Sequence, residues 1–568
     1  MQKTLNHQHE SEKILKRLSQ KLKRLSQNDW PALHRRLQAQ LPVLLPLYLQ
    51  LYQTRYDCYY HLEQLLLQLA QSWQQRPAPL KQRDAEHEAK PDWFNSEQML
   101  GVACYVDLFA DNLTGLEQRI AYLQQLGIRY LHLMPLFKAP EQNSDGGYAV
   151  SDYRTVAPQL GDMAQLQQLA LKLDAAGITL VLDFVFNHTS DEHAWALKAK
   201  QGDPEYRDYY FIFDSEADTQ TYAPYLREIF PEIRRGSFSY EPALPGYVWT
   251  TFNSFQWDLN YANPAVFNAM AAEMLFLANQ GAGVLRLDAL AFVWKEAGTG
   301  CENLGKAHTV IQAFNAVCRI AAPGLLFKSE AIVHPDEVVK YIAPEECQLS
   351  YNPLLMAMLW NSLATRKVRL MTESLQRKFA INPKCAWVNY IRCHDDIGWT
   401  FDDNVAWQLG INPEHHRRFL NNFYTGQFAG SFATGVPFQQ NPLTGDCRVA
   451  GMLASLAGLE QASKQQDSLL KQRAIERICL LHAVIMSIGG VPLLYMGDEL
   501  GVLNDYSYRN DSSKANDSRW VNRVKTQAET LALRHDLQTD AGVIYQRLQQ
   551  LIQRRQSLAV LGNGDTVI

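Results

Sequence analysis

Three carboxylates and an arginine stand where a neutral sugar could be attacked. In the run Gly283 to Ala289 (Gly-Val-Leu-Arg-Leu-Asp-Ala), Arg286 and Asp288 are two residues apart, so on a strand they share one face of an otherwise apolar segment. Leu325 to Glu330 ends a second apolar strand in a carboxylate, and Trp387 to Asp396 ends a third with His394, Asp395 and Asp396. Transferring a glycosyl unit with retention needs one carboxylate to attack the anomeric carbon and a second, ~5 to 5.5 Å away, to protonate the departing oxygen. Asp288 and Glu330 on neighbouring strands meet that need, with Asp288 kept ionised by Arg286 and Glu330 kept protonated near neutrality. A plain Arg286–Asp288 ion pair serving stability is the alternative that this stretch alone leaves open.

The elements that must position these groups can be traced along the chain. Strand-like segments run from Val102 to Leu108, Tyr130 to Leu136, Ile178 to Phe184, Val284 to Asp288, Leu325 to Glu330, Gln348 to Tyr351, Val388 to Cys393 and Val491 to Tyr495, with amphipathic helical stretches between them. The alternation predicts an α/β fold, a (β/α)8 TIM barrel, with its site at the carboxyl ends of the strands. Catalytic-barrel segments are expected at 92–186, 262–396 and 462–558. Two connections exceed a simple crossover, 187–261 after the third strand and 397–461 after the seventh. Both are rich in aromatics, Gly, Pro and Asn and are expected to form inserted domains that shape a pocket.

Residues 1–91 read as an N-terminal helical domain. Leu15, Leu18, Leu22 and Leu25, then Leu33, Leu37, Leu41 and Leu44, recur at three- and four-residue steps. The basic residues Lys16, Arg17, Lys21, Lys23 and Arg24 alternate with the leucines and read as a solvated face. Gln75 to Pro91, rich in Pro and charge, reads as a linker. After the last helix (Ile544, Leu548, Leu551, Ile552), residues 559–568 read as the first strand of a further β domain, whose open edge would promote self-association.

Composition narrows the partners. The chain has 568 residues, 47% hydrophobic, and a net charge of -5, which gives no basic field for nucleic acid. Its nine cysteines contain no CxxC pair and read as reduced thiols without a zinc site. No apolar run approaches the ~18 residues of a membrane span, and a cytoplasmic protein, monomeric or weakly dimeric, is expected.

The segments Asp183 to His188, Arg286 to Asp288, Glu330 and His394-Asp395, in that order at successive strand ends, resemble the four signature segments of the α-amylase superfamily. Within it the chain is similar to the amylosucrases. The similarity lies in Asp145-Gly-Gly-Tyr148, Leu226-Arg227-Glu-Ile-Phe, Thr250 to Asn260, Gly445-Asp-Cys-Arg448 and Asp517-Ser-Arg519-Trp, and in the helical front region. The resemblance implies a glucosyltransferase that cleaves sucrose, releases fructose and extends an α-1,4-glucan or malto-oligosaccharide, without metal or other cofactor. It implies Asp288 as nucleophile, Glu330 as acid/base and Asp395 as stabiliser of the oxocarbenium-like state, with His188 and His394 on the same sugar. Tyr148 would stack under the glucosyl ring, and Asp145 with Arg519 would close the pocket floor. Phe252, Ile332, Asp396 and Arg448 would meet the fructosyl part or the acceptor, and Arg227 and Arg417 a longer glucan. Asp183 and Asn187 would stand behind the site and organise the strand end. A sucrose hydrolase, an amylase or α-glucosidase, and an inactive barrel used for binding are the competing readings. Amylosucrase-like proteins carry a β-sandwich after the barrel, of which 559–568 would be the remnant.

Overall fold

A computed structural model describes residues 6–568 except 231–233, 442–444, 563–565 and 567. All eight expected strands form, and they close into one parallel barrel: β1 (Gly101–Cys104), β2 (Tyr130–Leu133), β3 (Thr179–Val185), β4 (Val284–Asp288), β5 (Leu326–Ser329), β6 (Leu349–Tyr351), β7 (Ala386–Tyr390) and β8 (Val491–Tyr495). Each pairs with its sequence neighbours, and β8 returns to β1 through Gly101↔Leu493. Every residue of β4 is buried, as expected of a strand with a helix on one face and the barrel interior on the other. The first strand is shorter than the sequence suggests, because Val106–Ala110 turns helical.

The front of the chain folds into α1 (His7–Ser26), α2 (Trp30–Tyr52), α3 (Cys58–Gln75) and α4 (Ala78–Ala89). Leu15, Leu18, Leu22, Leu33, Leu37, Leu41 and Leu44 are buried, whereas Leu25 is exposed. Tyr48 of α2 meets Phe267 edge-on at 5.9 Å, and Phe267 stacks at 4.2 Å on Phe314 of a barrel helix, so this layer shares the barrel's core. Arg17 and Lys21 of α1 reach Glu63 of α3 at 2.6 and 2.7 Å. The stretch read as a linker is instead α4: Pro79 sits in its first turn, where a proline costs nothing, and Leu80 and Asp84, four apart, turn inward. Asp84 there forms a buried pair with Arg76 at 2.6 Å.

Residues 187–261 contain short helices, a three-stranded sheet (Ile212–Phe213, Gly246–Trp249, Phe238–Glu241) and a ribbon pairing His188–Ser190 with Gln256–Asp258. Residues 397–461 contain helices Asp403–Gln408 and Pro413–Tyr424 and a hairpin of Val436–Phe438 with Arg448–Ala450. Both rise from the carboxyl ends of their strands. The expected strand at the end of the chain is absent among the described residues: Ala559–Gly562 is a 3-10 turn, and Ile568 packs on the core. All nine cysteines are free thiols, and no helix among the described residues is long and apolar enough to cross a membrane.

Candidate active site

A cavity of about 180 Å³ opens at the carboxyl ends of the strands, lined by Asp288, Glu330, Asp395 and most of the residues singled out in the sequence. Its floor of charge starts with Arg286, which is 2% exposed and lies where β4 pairs with β3 and β5. One nitrogen, Nη1, donates to Asp183 at 2.7 Å and to Asp288 at 2.5 Å. The other, Nη2, lies 3.8 Å from Glu330. Glu330 also accepts from the backbone N–H of Ala289 at 3.1 Å, so the residue that follows Asp288 orients the second carboxyl. Ala289 adopts φ 53°, in the left-handed region, which turns the chain out of β4 and aims that N–H.

Burial pushes the carboxyls of Asp288 and Glu330 up, and like charge adds to it, from Glu330 on Asp288 and from Asp395 and Asp183 on Glu330. The guanidinium touches Asp288 and stands off from Glu330. The pair's first negative charge therefore rests on Asp288, and the shared proton on Glu330. Asp395 behaves differently. Burial alone would raise it, but His394, Arg519 and Arg523 hold it well below the carboxylate range, so it stays anionic. Burial keeps His394 down at about 3 and His188 at about 4, both neutral hydrogen-bond partners.

The Asp145-Gly-Gly-Tyr148 turn explains its own composition. Asp145, Gly146 and Gly147 run through φ 50°, 66° and 95°, and a Cβ on Gly147 would stand 2.9 Å from Pro135. The turn lays Tyr148 over the site, its hydroxyl 2.8 Å from His394 Nε2 and its ring stacked on that imidazole at 5.7 Å. Asp145 meets Arg519 at 3.1 Å, the side chains being 14% and 11% exposed. Arg519 reaches further than the sequence suggests, pairing with Asp395 at 3.2 Å and Asp517 at 2.8 Å. His188 Nε2 lies 3.2 Å from the Tyr148 carbonyl. Asn187 and Asp183 sit behind the cavity: Asn187 donates to Asp258 at 3.1 Å, and Asp258 is held by Lys295 at 2.6 Å.

Phe252 packs among His188, Phe230 and Phe292 at one wall, with Ile332 on the lining. Asp396 pairs with Arg448 at 3.3 Å, and Arg448 lies 4.9 Å above the ring of Phe438. Arg227 lines the mouth and is held bidentately by Glu302, at 3.2 and 2.8 Å. Arg417 is not brought to the cavity. It lies on helix Pro413–Tyr424, donates to the carbonyls of Trp399 and Phe401 and pairs with Asp403 at 2.5 Å. Those bonds, from Nε and Nη2, staple the loop after β7.

Sequence reasoning missed Gln256, which donates to Asp145 at 3.3 Å and lies 3.2 Å from His188. It also missed Phe230, Phe292, Arg523 and the partnership of Asp517. Gln256 and Asp517 lie inside stretches already singled out, so their position was available while their direction was not. For a metal, Cys393, His394 and Asp395 offer ligand atoms within 4.8 Å of one another; His394 Nε2 is engaged by Tyr148 and Asp395, while its Nδ1 has no partner.

The α-amylase catalytic-domain model matches residues 91–397. The chain belongs to the α-amylase family. It is 28% identical over 426 residues to a trehalose synthase/amylase of Mycobacterium tuberculosis, covering 73% of this chain and 64% of that protein. It is 27% identical over 476 residues to a glucosylglycerate phosphorylase of Escherichia coli, covering 82% and 79%. Among solved structures, a sucrose 6F-phosphate phosphorylase from Thermoanaerobacter thermosaccharolyticum superimposes with a TM-score of 0.61 at 18% identity, over 81% of this chain and 86% of that one. That likeness concerns the fold.

Proposed function

We propose that this chain transfers glucosyl units from sucrose by double displacement, releasing fructose and extending an α-1,4-glucan. The observation that carries the reading is the sharing of Arg286 between two unlike carboxyls, Asp288 in contact and Glu330 at arm's length. Asp288 attacks the anomeric carbon while Glu330 gives its proton to the departing fructosyl oxygen, leaving a covalent glucosyl-enzyme. Glu330, now anionic, takes the proton from an acceptor hydroxyl, whose oxygen attacks that carbon and frees Asp288. Asp395, anionic throughout, stabilises the positive charge that develops on the ring in both steps.

The glucosyl unit lies over Tyr148 with the Asp145–Arg519 pair at its blind end. Phe252, Ile332, Asp396 and Arg448 receive the fructosyl part and then the acceptor, and Arg227 contacts longer chains. The relatives named as phosphorylases raise phosphate as a competing acceptor. Each arginine on the lining, Arg227, Arg286, Arg448 and Arg519, already has a carboxylate partner. Those carboxylates offset the arginines' charge and repel a phosphate, whereas an uncharged sugar hydroxyl meets no such repulsion.

Sugar analysis after incubation with sucrose tests this. Fructose together with an iodine-staining glucan is expected. Equal glucose and fructose would make the chain a sucrose hydrolase, and glucose 1-phosphate formed in added phosphate would make it a phosphorylase. Fluoride release from α-glucosyl fluoride at the same rate in the protein and in Asp288→Asn would leave a binding module.

A further inference from the structure

The interior of a (β/α)8 barrel is ordinarily filled with layers of branched apolar side chains. Here the layer just below the carboxylates is polar on four successive strands: His132 of β2, Asp183 of β3, Arg286 of β4 and Lys328 of β5, all at most 3% exposed. Arg286 stands in register with both Asp183 and Lys328, while His132, opposite Val181, reaches Asp183 on the diagonal. Lys328 Nζ lies 3.1 Å from His132 Nδ1, His132 Nε2 lies 3.1 Å from Asp183 Oδ2, and Asp183 Oδ1 accepts from Arg286 at 2.7 Å. The same Arg286 nitrogen donates to Asp288. Four buried polar groups in one apolar layer are costly unless they are bonded, and this row bonds them to one another in series, with Arg286 Nε alone left without a partner.

The direction of each bond follows from the chemistry of the groups. Arg286 and His132 hold Asp183 down at about 2 against the effect of burial, so this carboxylate only accepts. His132 Nε2 must then carry hydrogen. Burial and the Lys328 charge press the imidazole down to about 4, so its single proton is on Nε2 and Nδ1 is a bare acceptor. Lys328 is a donor whether ammonium or amine. It is further fixed by the ring of Tyr351, 4.2 Å below it, and that of Tyr130 at 5.4 Å. The Tyr351 hydroxyl stands 3.3 Å from Nδ1 as a weaker second donor.

We propose that Lys328 is a positioning residue for the nucleophile: by donating to His132 Nδ1 it fixes the tautomer that lets His132 hold Asp183, and through Asp183 it holds Arg286 against Asp288. Lys328 and His132 touch no substrate. Their effect is on where the Arg286 guanidinium stands between Asp288 and Glu330, which a shift of a few tenths of an ångström would change. The inference rests on the two-carboxylate reading of the site and is independent of which sugar is the natural donor.

Turnover of α-glucosyl fluoride by the full chain is the test, with Lys328→Met, which keeps the length and removes the donor, and Lys328→Gln, which keeps an N–H. Lys328→Met should lower kcat about 10- to 30-fold with KM within about twofold, and Lys328→Gln should recover most of it. In 15N-histidine spectra of the unmodified protein, the signal lost in His132→Gln should show hydrogen on Nε2 and a bare Nδ1, a pattern that Lys328→Met blurs. Hydrogen on Nδ1 in the unmodified protein overturns the proposal, even where Lys328→Met does not fold. So do equal kcat values in the protein and in Lys328→Met, or a loss in the two variants alike that Gln does not relieve. If instead Asp288→Asn turns over α-glucosyl fluoride normally, the reading of the site fails rather than this inference alone.

Discussion

At the scale of single residues, the site separates two roles that one residue type could have filled. Glu330 keeps the proton because Arg286 stands 3.8 Å from it and 2.5 Å from Asp288. Glu330→Gln should therefore cost about 10²- to 10⁴-fold on sucrose, whose leaving oxygen needs a proton, and far less in fluoride release from α-glucosyl fluoride, whose leaving group needs none. Comparing the two donors in one variant checks the assignment, and equal losses on both would contradict it. Asp145→Ala leaves Arg519, 11% exposed, without one of its partners. The loss of a buried pair member costs ~3 to 5 kcal/mol, and Asp395 and Asp517 take up part of the charge. Turnover should fall steeply while the fold survives, as kinetics and thermal melting of the same sample would show. Asp288, Glu330 and Asp395 could be picked out in the sequence because charge at the end of an apolar strand has few other uses. Arg417 lies away from the cavity, on helix Pro413–Tyr424, for the converse reason: an arginine in an insertion declares its charge but not its direction.

At the scale of elements, the tip of β4 shows how a strand end becomes an instrument. Ala289 holds φ 53°, a conformation that costs about 1 kcal/mol with a Cβ present. Ala289→Gly should keep the N–H on Glu330 and leave turnover near normal with a slightly raised melting temperature. Ala289→Val, β-branched in the same conformation, should lower both. A melting curve and a turnover rate for each variant suffice to check this. The strands were legible because apolar runs of four to seven residues bounded by turn residues permit little else, and all eight appear in the barrel in sequence order. The helix α4 was not legible, since its Pro and charges suit a linker equally well. Contacts with distant parts of the chain, Asp84 accepting from Gly324 N–H and Arg83 pairing with Asp174, make it a packed element. The polar row His132, Asp183, Arg286, Lys328 was hidden for the same reason. Each member sits singly in its own strand, and closure of the barrel alone puts them side by side.

At the scale of the whole molecule, the helical front layer and the barrel are joined by a buried ionic clasp. Arg76 donates to Asp84 at 2.6 and 2.8 Å and to the Ala278 carbonyl at 3.0 Å, while Asp84 accepts from Gly324 N–H at 3.0 Å. Arg76→Met should destabilise the chain by ~3 to 5 kcal/mol through the stranded carboxylate, read as a lowered urea midpoint. Acid should loosen the molecule in a defined range. Burial keeps His132, His188, His193 and His482 down at about 4, below the ordinary histidine value of 6.5. The unfolded chain takes up their protons as pH falls below 6.5 and the folded chain does so only near 4. Each therefore removes up to ~1.4 kcal/mol per pH unit across that window. Glu499, raised by burial to about 7, opposes this, together with other carboxyls that burial raises, Asp288 and Glu330 among them. A urea midpoint that falls between pH 6.5 and 4.5 is expected, and a flat profile would contradict it. The Asp145–Arg519 pair has a kinetic corollary as well. A chamber sealed at one end has a single doorway, so the departing half of the donor must walk out before the next guest walks in. For the proposed reaction, initial-rate plots at several acceptor concentrations should then run parallel, and fructose should compete with the acceptor for the same threshold.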